Sequence, residues 1–165
     1  MASVFTFNLI DQAVPVNATD TLANSKSIFE LAAPAGQAIR ITSLDVTFDA
    51  LPQANNKPVL INLIRATATG TFPTTNATAI DCLNADLASD TSAVAVGGIK
   101  YGTATVEGTV ASVAGWRSYR LPSVGGVIYQ LPLGREIWIP KGQFFRIRAV
   151  ATVAVNLSLN LDWEQ

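Results

Sequence analysis

The amino-acid sequence predicts an all-β chain, a single-domain antiparallel β-sandwich of jelly-roll type with eight to ten strands. Three observations carry this. Apolar and polar side chains alternate at period two through most of the chain, turn residues recur at roughly ten-residue spacing, and only one short stretch has helical spacing. The alternation is plainest near the C-terminal end, where Val155, Leu157, Leu159, Leu161 and Trp163 interleave with Asn156, Ser158, Asn160, Asp162 and Glu164. Such a strand keeps one face in a core and the other in water.

The remaining elements follow in order. Phe5, Phe7 and Leu9 alternate with Thr6 and Asn8, giving a first strand that ends near Pro15. Residues 1–15 are expected to serve as an N-terminal strand or as an arm engaging a neighbour, with Ser3 to Ile10 either adding to that neighbour's sheet edge or stapling subunits. After a polar segment from Val16 to Lys26, Ile28 to Ala33 forms a second strand, closed by the turn residues Pro34-Ala35-Gly36.

Ile39 to Phe48 contains a phase break. Ile39 and Ile41 are apolar at odd positions, then Leu44, Val46 and Phe48 at even ones. A one-residue slip exchanges the buried face, so the strand needs a bulge near Thr42-Ser43 or must pass to the opposite sheet. Val59 to Arg65 is apolar enough for a central strand, and Ala66 to Thr78 reads as a long loop. Ile80 to Leu87 is the one candidate helix, because Ile80, Leu83 and Leu87 fall on one helical face. Ala93 to Val113 gives thin strands of small residues, Trp116 to Leu121 restores bulk, and Gly126 to Leu131 follows the turn at Pro122-Ser123. Finally Ile137 and Ile139 alternate with Glu136 and Trp138, Pro140-Lys141-Gly142 turns, and Phe145, Ile147 and Ala149 alternate with Arg146 and Arg148. This predicts a hairpin.

Composition narrows function further. The 165 residues are 49% hydrophobic and 14% charged, with a formal net charge of −1. One domain of this length buries roughly 70% of its unfolded surface, so residues 1–165 are expected to form a single unit. No apolar run approaches the roughly 20 residues of a membrane-spanning helix, and no basic stripe suits a nucleic-acid backbone. No secretion signal is visible, which gives synthesis in a cytoplasm as the expectation. There is no histidine, and Cys82 is the single cysteine. An internal disulfide, a Ser-His-Asp triad and an imidazole-ligated metal site are thereby excluded, so the expectation is a protein without catalysis or cofactor. A surface of Asn, Thr, Ser, Gln and Ala favours assembly over a free monomer.

The acidic groups point the same way. Asp45 and Asp49 lie about 13 Å apart along an extended strand, too far for one small cation. Asp81, Asp86 and Asp90, beside Asn84, miss the spacing of a calcium loop and lack its glycine, which disfavours an ion there because calcium needs six or more converging oxygens. Cys82, among apolar residues, reads as a small packed hydrophobe. Gly97-Gly98 and Gly125-Gly126 read as hairpin or bulge glycines, since no phosphate-loop lysine follows them.

Aromatic and arginine residues supply the interface candidates. Trp116 and Arg120 share one strand face while Arg117 and Tyr119 share the other. Trp138 is out of phase with Ile137 and Ile139, hence exposed, with Arg146 and Arg148 on the same side across the predicted hairpin. The competing expectation is that this second face is covered by the chain itself.

The run PLGREIWIPKGQFFRIRAVATVAVNLSLNLDWEQ, with IRITSLDVTFDA and KPVLINLIRAT, resembles the jelly-roll capsid decoration, or cement, proteins of tailed bacteriophages. The likeness is one of strand pattern over about half the chain. It implies a homotrimer on the virion surface that clamps neighbouring major capsid subunits without catalysis, and without nucleic-acid or membrane partners. It carries over no contact residue. The candidate interface is therefore the set read from the residues: Phe5, Phe7, Trp116, Arg117, Tyr119, Arg120, Trp138, Arg146 and Arg148. The alternative function is a lectin-like carbohydrate-binding sandwich of a virion or cell-surface assembly, with Trp138 or Trp116 as a stacking platform.

Overall fold

In a computed structural model, residues 4–49, 57–75, 80–81, 98–110 and 115–165 are described. They form an all-β structure of two antiparallel sheets, consistent with a β-sandwich. The strands are β1 (Val4–Ala13), β2 (Lys26–Ala32), β3 (Ile39–Asp49), β4 (Val59–Ala66), β5 (Ile80–Asp81), β6 (Ile99–Tyr101), β7 (Arg117–Leu121), β8 (Val124–Gln130), β9 (Ile137–Ile139), β10 (Phe144–Val150) and β11 (Asn156–Glu164). The first sheet runs β5-β1-β11-β3-β8, with β9 also paired to β3, and the second runs β6-β2-β10-β4-β7. The strand beyond the expected eight to ten is the two-residue β5, which lies where the sequence predicts a helix.

Pairing among the long strands is nested. β4 pairs with β7, β3 with β8, β2 with β10 and β1 with β11, all antiparallel. Consecutive strands lie in different sheets throughout, except β6 and β7, which share the second sheet, and β8 and β9, which share the first. Each passage between sheets puts the next apolar face against the same core. Leu157, Leu159, Leu161 and Trp163 of β11 are buried there with Phe29 and Leu31 of β2 and Phe145 and Ile147 of β10. Phe5 stacks on Trp163 at 5.9 Å, and Phe7 meets Phe29 at 5.7 Å across the sandwich.

The phase break in β3 is repaired by a bulge. Ser43 lies opposite Asp162 and Ile41 opposite Trp163, leaving Thr42 without a partner position on β11. Ile39, Ile41, Leu44, Val46 and Phe48 are all buried as a result. Thr42 itself is satisfied, because its carbonyl accepts from Leu131 N at 2.9 Å and its hydroxyl reaches Asp162 O at 3.3 Å.

Two expectations need correction. The predicted hairpin does not form: β9 pairs with β3 in the first sheet, whereas β10 pairs with β2 and β4 in the second. Pro140 to Gln143 is a passage between sheets, and it leaves both edges of β10 free for long partners. The predicted helix is not seen at Ile80–Asp81, which are extended as β5 and pair with Thr6 and Phe5. Pairing with β1 overrides the local helical spacing, and residues 82–87 lie outside the described part. The segment after β4 is a loop over its described length, as expected, and isolated bridges of Thr71 to Val106 and Thr74 to Tyr101 pin it.

Leu159 has no exposed surface and lies at the centre of β11. Leu159→Ala is expected to lower stability by about 2–5 kcal/mol in urea denaturation, with an unchanged denaturant slope.

Candidate functional site

Of the sequence-predicted candidates, Phe5 and Phe7 point into the core and are buried. Their strand, β1, lies between β5 and β11 of the chain's own sheet.

Arg146 and Arg148 do not lie beside Trp138. They belong to β10, in the other sheet, and both are buried. The alternation was legible, since they do face away from Phe145 and Ile147; what the expectation omitted is a cover. Described segments 67–75 and 101–110 lie over this face, with Phe72 and Ala104 buried among them. Arg146 Nε donates to Glu30 Oε2 at 2.6 Å, Nη2 donates to Ala68 O at 2.6 Å, and Nη1 donates to Glu107 O. Glu30 also accepts from Gly70 N at 3.0 Å and from the Thr69 hydroxyl at 2.6 Å, and Lys100 Nζ stands 3.6 Å away. Arg148 donates to Ser25 O and lies 3.7 Å from Glu107, which accepts from Ser27 N and Oγ. Buried charges persist only with partners of this kind. The alternative, a second face covered by the chain itself, is what the arginines meet.

The β7 group divides as its alternation predicts. Trp116 and Arg120 are exposed while Arg117 and Tyr119 are half-buried. Trp116 stacks on Phe145 at 6.1 Å at the rim of the core, and its backbone N–H donates to Leu63 O at 2.8 Å. The Arg117 guanidinium lies 4.6 Å from the Tyr129 ring centre, and Tyr119 meets the same ring at 6.5 Å. Arg120 forms an ion pair with Asp20 and donates to its carbonyl at 3.1 Å. These contacts join β7 to β8 and to the segment that follows β1.

Trp138 is exposed, at 58%. Strand register gives it neighbours that local sequence could not. Trp138 lies opposite Arg40 across β9 and β3, and Arg40 lies opposite Glu164 across β3 and β11. The three therefore form one row. The Arg40 guanidinium lies 5.7 Å from the Trp138 ring centre, donates to the Glu164 carboxylate, and stands 3.7 Å from Glu136. Gln37, Ala38 and Gln165 complete an open cleft around them.

The hydrogen bond from Arg40 to Glu164 raises the arginine above its ordinary pKa. Attraction to Glu164 and Glu136 adds to this and desolvation opposes it. A raised basic pKa gives stability that is present below the ordinary value and lost only as pH rises through the raised one, so the guanidinium stays charged throughout the neutral range. The cleft offers a flat aromatic face edged by fixed charge and amide groups. It suits stacking of a sugar ring or a partner's side chain. Arg40, Glu136 and Glu164 escaped the sequence reading because Arg40 and Glu164 are separated by 124 positions.

Asp49 is exposed and Asp45 half-buried, both facing away from the core. Asp81 contributes backbone pairing to Phe5, while Cys82, Asp86, Asp90 and Gly97 lie outside the described residues. Among the described residues, eight large hydrophobic side chains are exposed, and four of them, Val124, Ile128, Leu133 and Trp138, fall within residues 124–138. Leu133 is the extreme, at 90% exposure. Strands β8 and β9 both pair with the same edge of β3, so this apolar group follows one side of the first sheet. No protein family, no curated protein and no solved structure matches this chain.

The Glu30–Arg146 pair can be tested directly. Glu30→Gln or Arg146→Met alone is expected to cost about 3–5 kcal/mol, because each strands a buried charge. The double variant is expected to lose much less than the sum in a double-mutant cycle read by urea denaturation.

Proposed function

We propose that this chain is a non-enzymatic structural subunit of jelly-roll type, a decoration protein that self-associates on a virion surface and stabilises the lattice of major capsid subunits. The nested pairing of β4 with β7, β3 with β8, β2 with β10 and β1 with β11 supports the jelly-roll reading. A long hairpin rolled over on itself produces this pattern of two four-stranded sheets.

The observation that carries the functional reading is the exposed apolar group within residues 124–138. Covering each such side chain contributes about 1.5–3 kcal/mol. Association opposes this with an estimated ~4–15 kcal/mol of lost freedom, so one copy's patch binds weakly. Joined copies on a repeating lattice gain from effective concentration, which suits a decorating oligomer.

The test is native mass by sedimentation velocity, combined with co-sedimentation on mature capsids lacking the protein. The expected result is an oligomer that binds those capsids and raises their disruption temperature. A monomer at high concentration that leaves capsids unbound would overturn the reading.

A second reading, carbohydrate binding, is favoured by the Trp138 cleft with Arg40, Glu164 and Gln37 at its edge. It predicts glycan-array binding that Trp138→Ala abolishes. Because Trp138 is exposed, that variant is expected to keep stability within about 0.5 kcal/mol of the parent by thermal denaturation. Wild-type protein that binds no glycan would eliminate this second reading.

A further inference from the structure

We propose that β8 is the edge through which two copies of this chain join, pairing antiparallel about a two-fold axis at Gly126. The inference rests on the self-association reading and deepens it. Natural sheets blunt their edges with short strands, charges, bulges or covering loops, because an open edge pairs with other chains. Along the first sheet's far side, β5 covers Phe5 and Thr6, and beyond them β1 is interrupted by a bulge between Leu9 and Gln12, with Asp11 at φ +56°. In the second sheet, β6 has three residues including Lys100, and Thr74 covers it through mutual hydrogen bonds with Tyr101 at 3.1 Å. The other edge, β7, carries Arg117 and Arg120. Beside β8, the three-residue β9 is preceded by Arg135-Glu136 and followed by Pro140.

Among the described residues, strand β8 carries none of these devices. Its seven residues, VGGVIYQ, contain no charge and no proline, and its register with β3 runs unbroken from Ser43–Gln130 to Asp49–Val124. No described strand pairs with its other side. Val124 and Ile128 lie opposite the outward-facing Asp49 and Asp45, and are 57% and 73% exposed.

The arrangement is self-complementary, which identifies the occupant as a second copy. Val124 and Ile128 flank Gly126 symmetrically, so a two-fold axis there sets Val124 of each copy against Ile128 of the other on the outer face. Directly opposed residues have Cβ atoms about 4.5–5.5 Å apart. Gly125 would face Val127 of the second copy, and nothing lies within 4 Å of where a Cβ on Gly125 would be. With no charge on the edge, no like charges meet. The β3 aspartates of the two copies stand about 14 Å apart across three strand spacings, beyond the ~8 Å screening length of physiological salt. The pairing joins the first sheets of two copies into one continuous sheet, and it gives a dimer or an even-numbered assembly in place of the trimer that the resemblance implies.

The test is sedimentation velocity of the full chain over a range of concentrations. Wild type is expected to dimerise reversibly, with Ile128→Lys and Val124→Lys each raising the dissociation constant at least about tenfold. Both sites are exposed, so each variant should retain the wild-type circular dichroism. The register is tested by Val124→Cys with Ile128→Cys in a Cys82→Ser background, where mild oxidation should give a covalent dimer. A wild-type oligomer that both lysine variants leave intact, or a dimer that the cysteine pair does not cross-link, would overturn the β8 pairing and leave the assembly reading standing. A wild-type monomer at every concentration would overturn the β8 pairing, and the assembly reading with it where that monomer also leaves capsids unbound.

Discussion

Thr42 is the residue around which the first sheet is organised. A strand as long as β3 can keep its apolar positions on one face only if its period of two is unbroken, and its sequence changes phase midway. Leaving Thr42 opposite nothing on β11 turns Ile39 and Ile41 to the same side as Leu44, Val46 and Phe48. The same adjustment sets what lies along both edges. β9 aligns with residues 39–41 before the bulge and β8 with residues 43–49 after it, so two separate segments share one edge of β3. The row of Trp138, Arg40 and Glu164 is a product of that registration: it requires Arg40 to face outward one residue from the buried Ile41.

The second sheet meets a different constraint. Its outward face carries Glu30, Arg146 and Arg148, charged groups whose burial is unfavourable unless every one finds a partner. Segments 67–75 and 101–110 provide partners through backbone carbonyls, the Gly70 N–H, the Thr69 hydroxyl and Glu107. Replacing such a pair with apolar groups of similar volume is often neutral or stabilising, so the pair's contribution is to positioning more than to net stability. It fixes where the covering segments lie, because the carbonyls of Ala68 and Glu107 must both reach one guanidinium.

What could be read from sequence follows from this division. The alternation in β1, β3, β10 and β11 was legible because each strand has one face on a common core, and the hydrophobic period records that face directly. The bulge at Thr42 was legible for the same reason, as an interruption of the period. Pairing partners were not. Ile137–Ile139 and Phe144–Val150 look like a hairpin because the turn between them is short, yet nothing in the local pattern distinguishes a turn within a sheet from a passage between sheets. The exposure of Arg146 and Arg148 was misread because alternation reports which residues avoid the core, not whether a distant segment covers the other side. The Trp138 cleft depends on a contact between Arg40 and Glu164 across 124 positions, which no local signal carries.

The two sheets end up unequal on their outer faces, and this inequality bears on assembly. The second sheet buries Leu60, Ile64 and Arg146 beneath its own chain. The first sheet turns outward a row of Asn8, Asn160, Asp45 and Ile128, set by successive registers across β1, β11, β3 and β8. Beside it lie Ser158 and Thr47 opposite Gly126, whose Cβ would stand 2.5 Å from Val46 O, so β8 can approach β3 this closely only with glycine there. Ser158, Thr47 and Gly126 on this face and the apolar groups along β8 lose little hydration energy when covered, whereas Asp45 and Asp49 on β3 and the arginine-bearing edge β7 would have to be desolvated. A partner, whether a second copy or a larger lattice, therefore meets the least resistance along the β8 side of the first sheet.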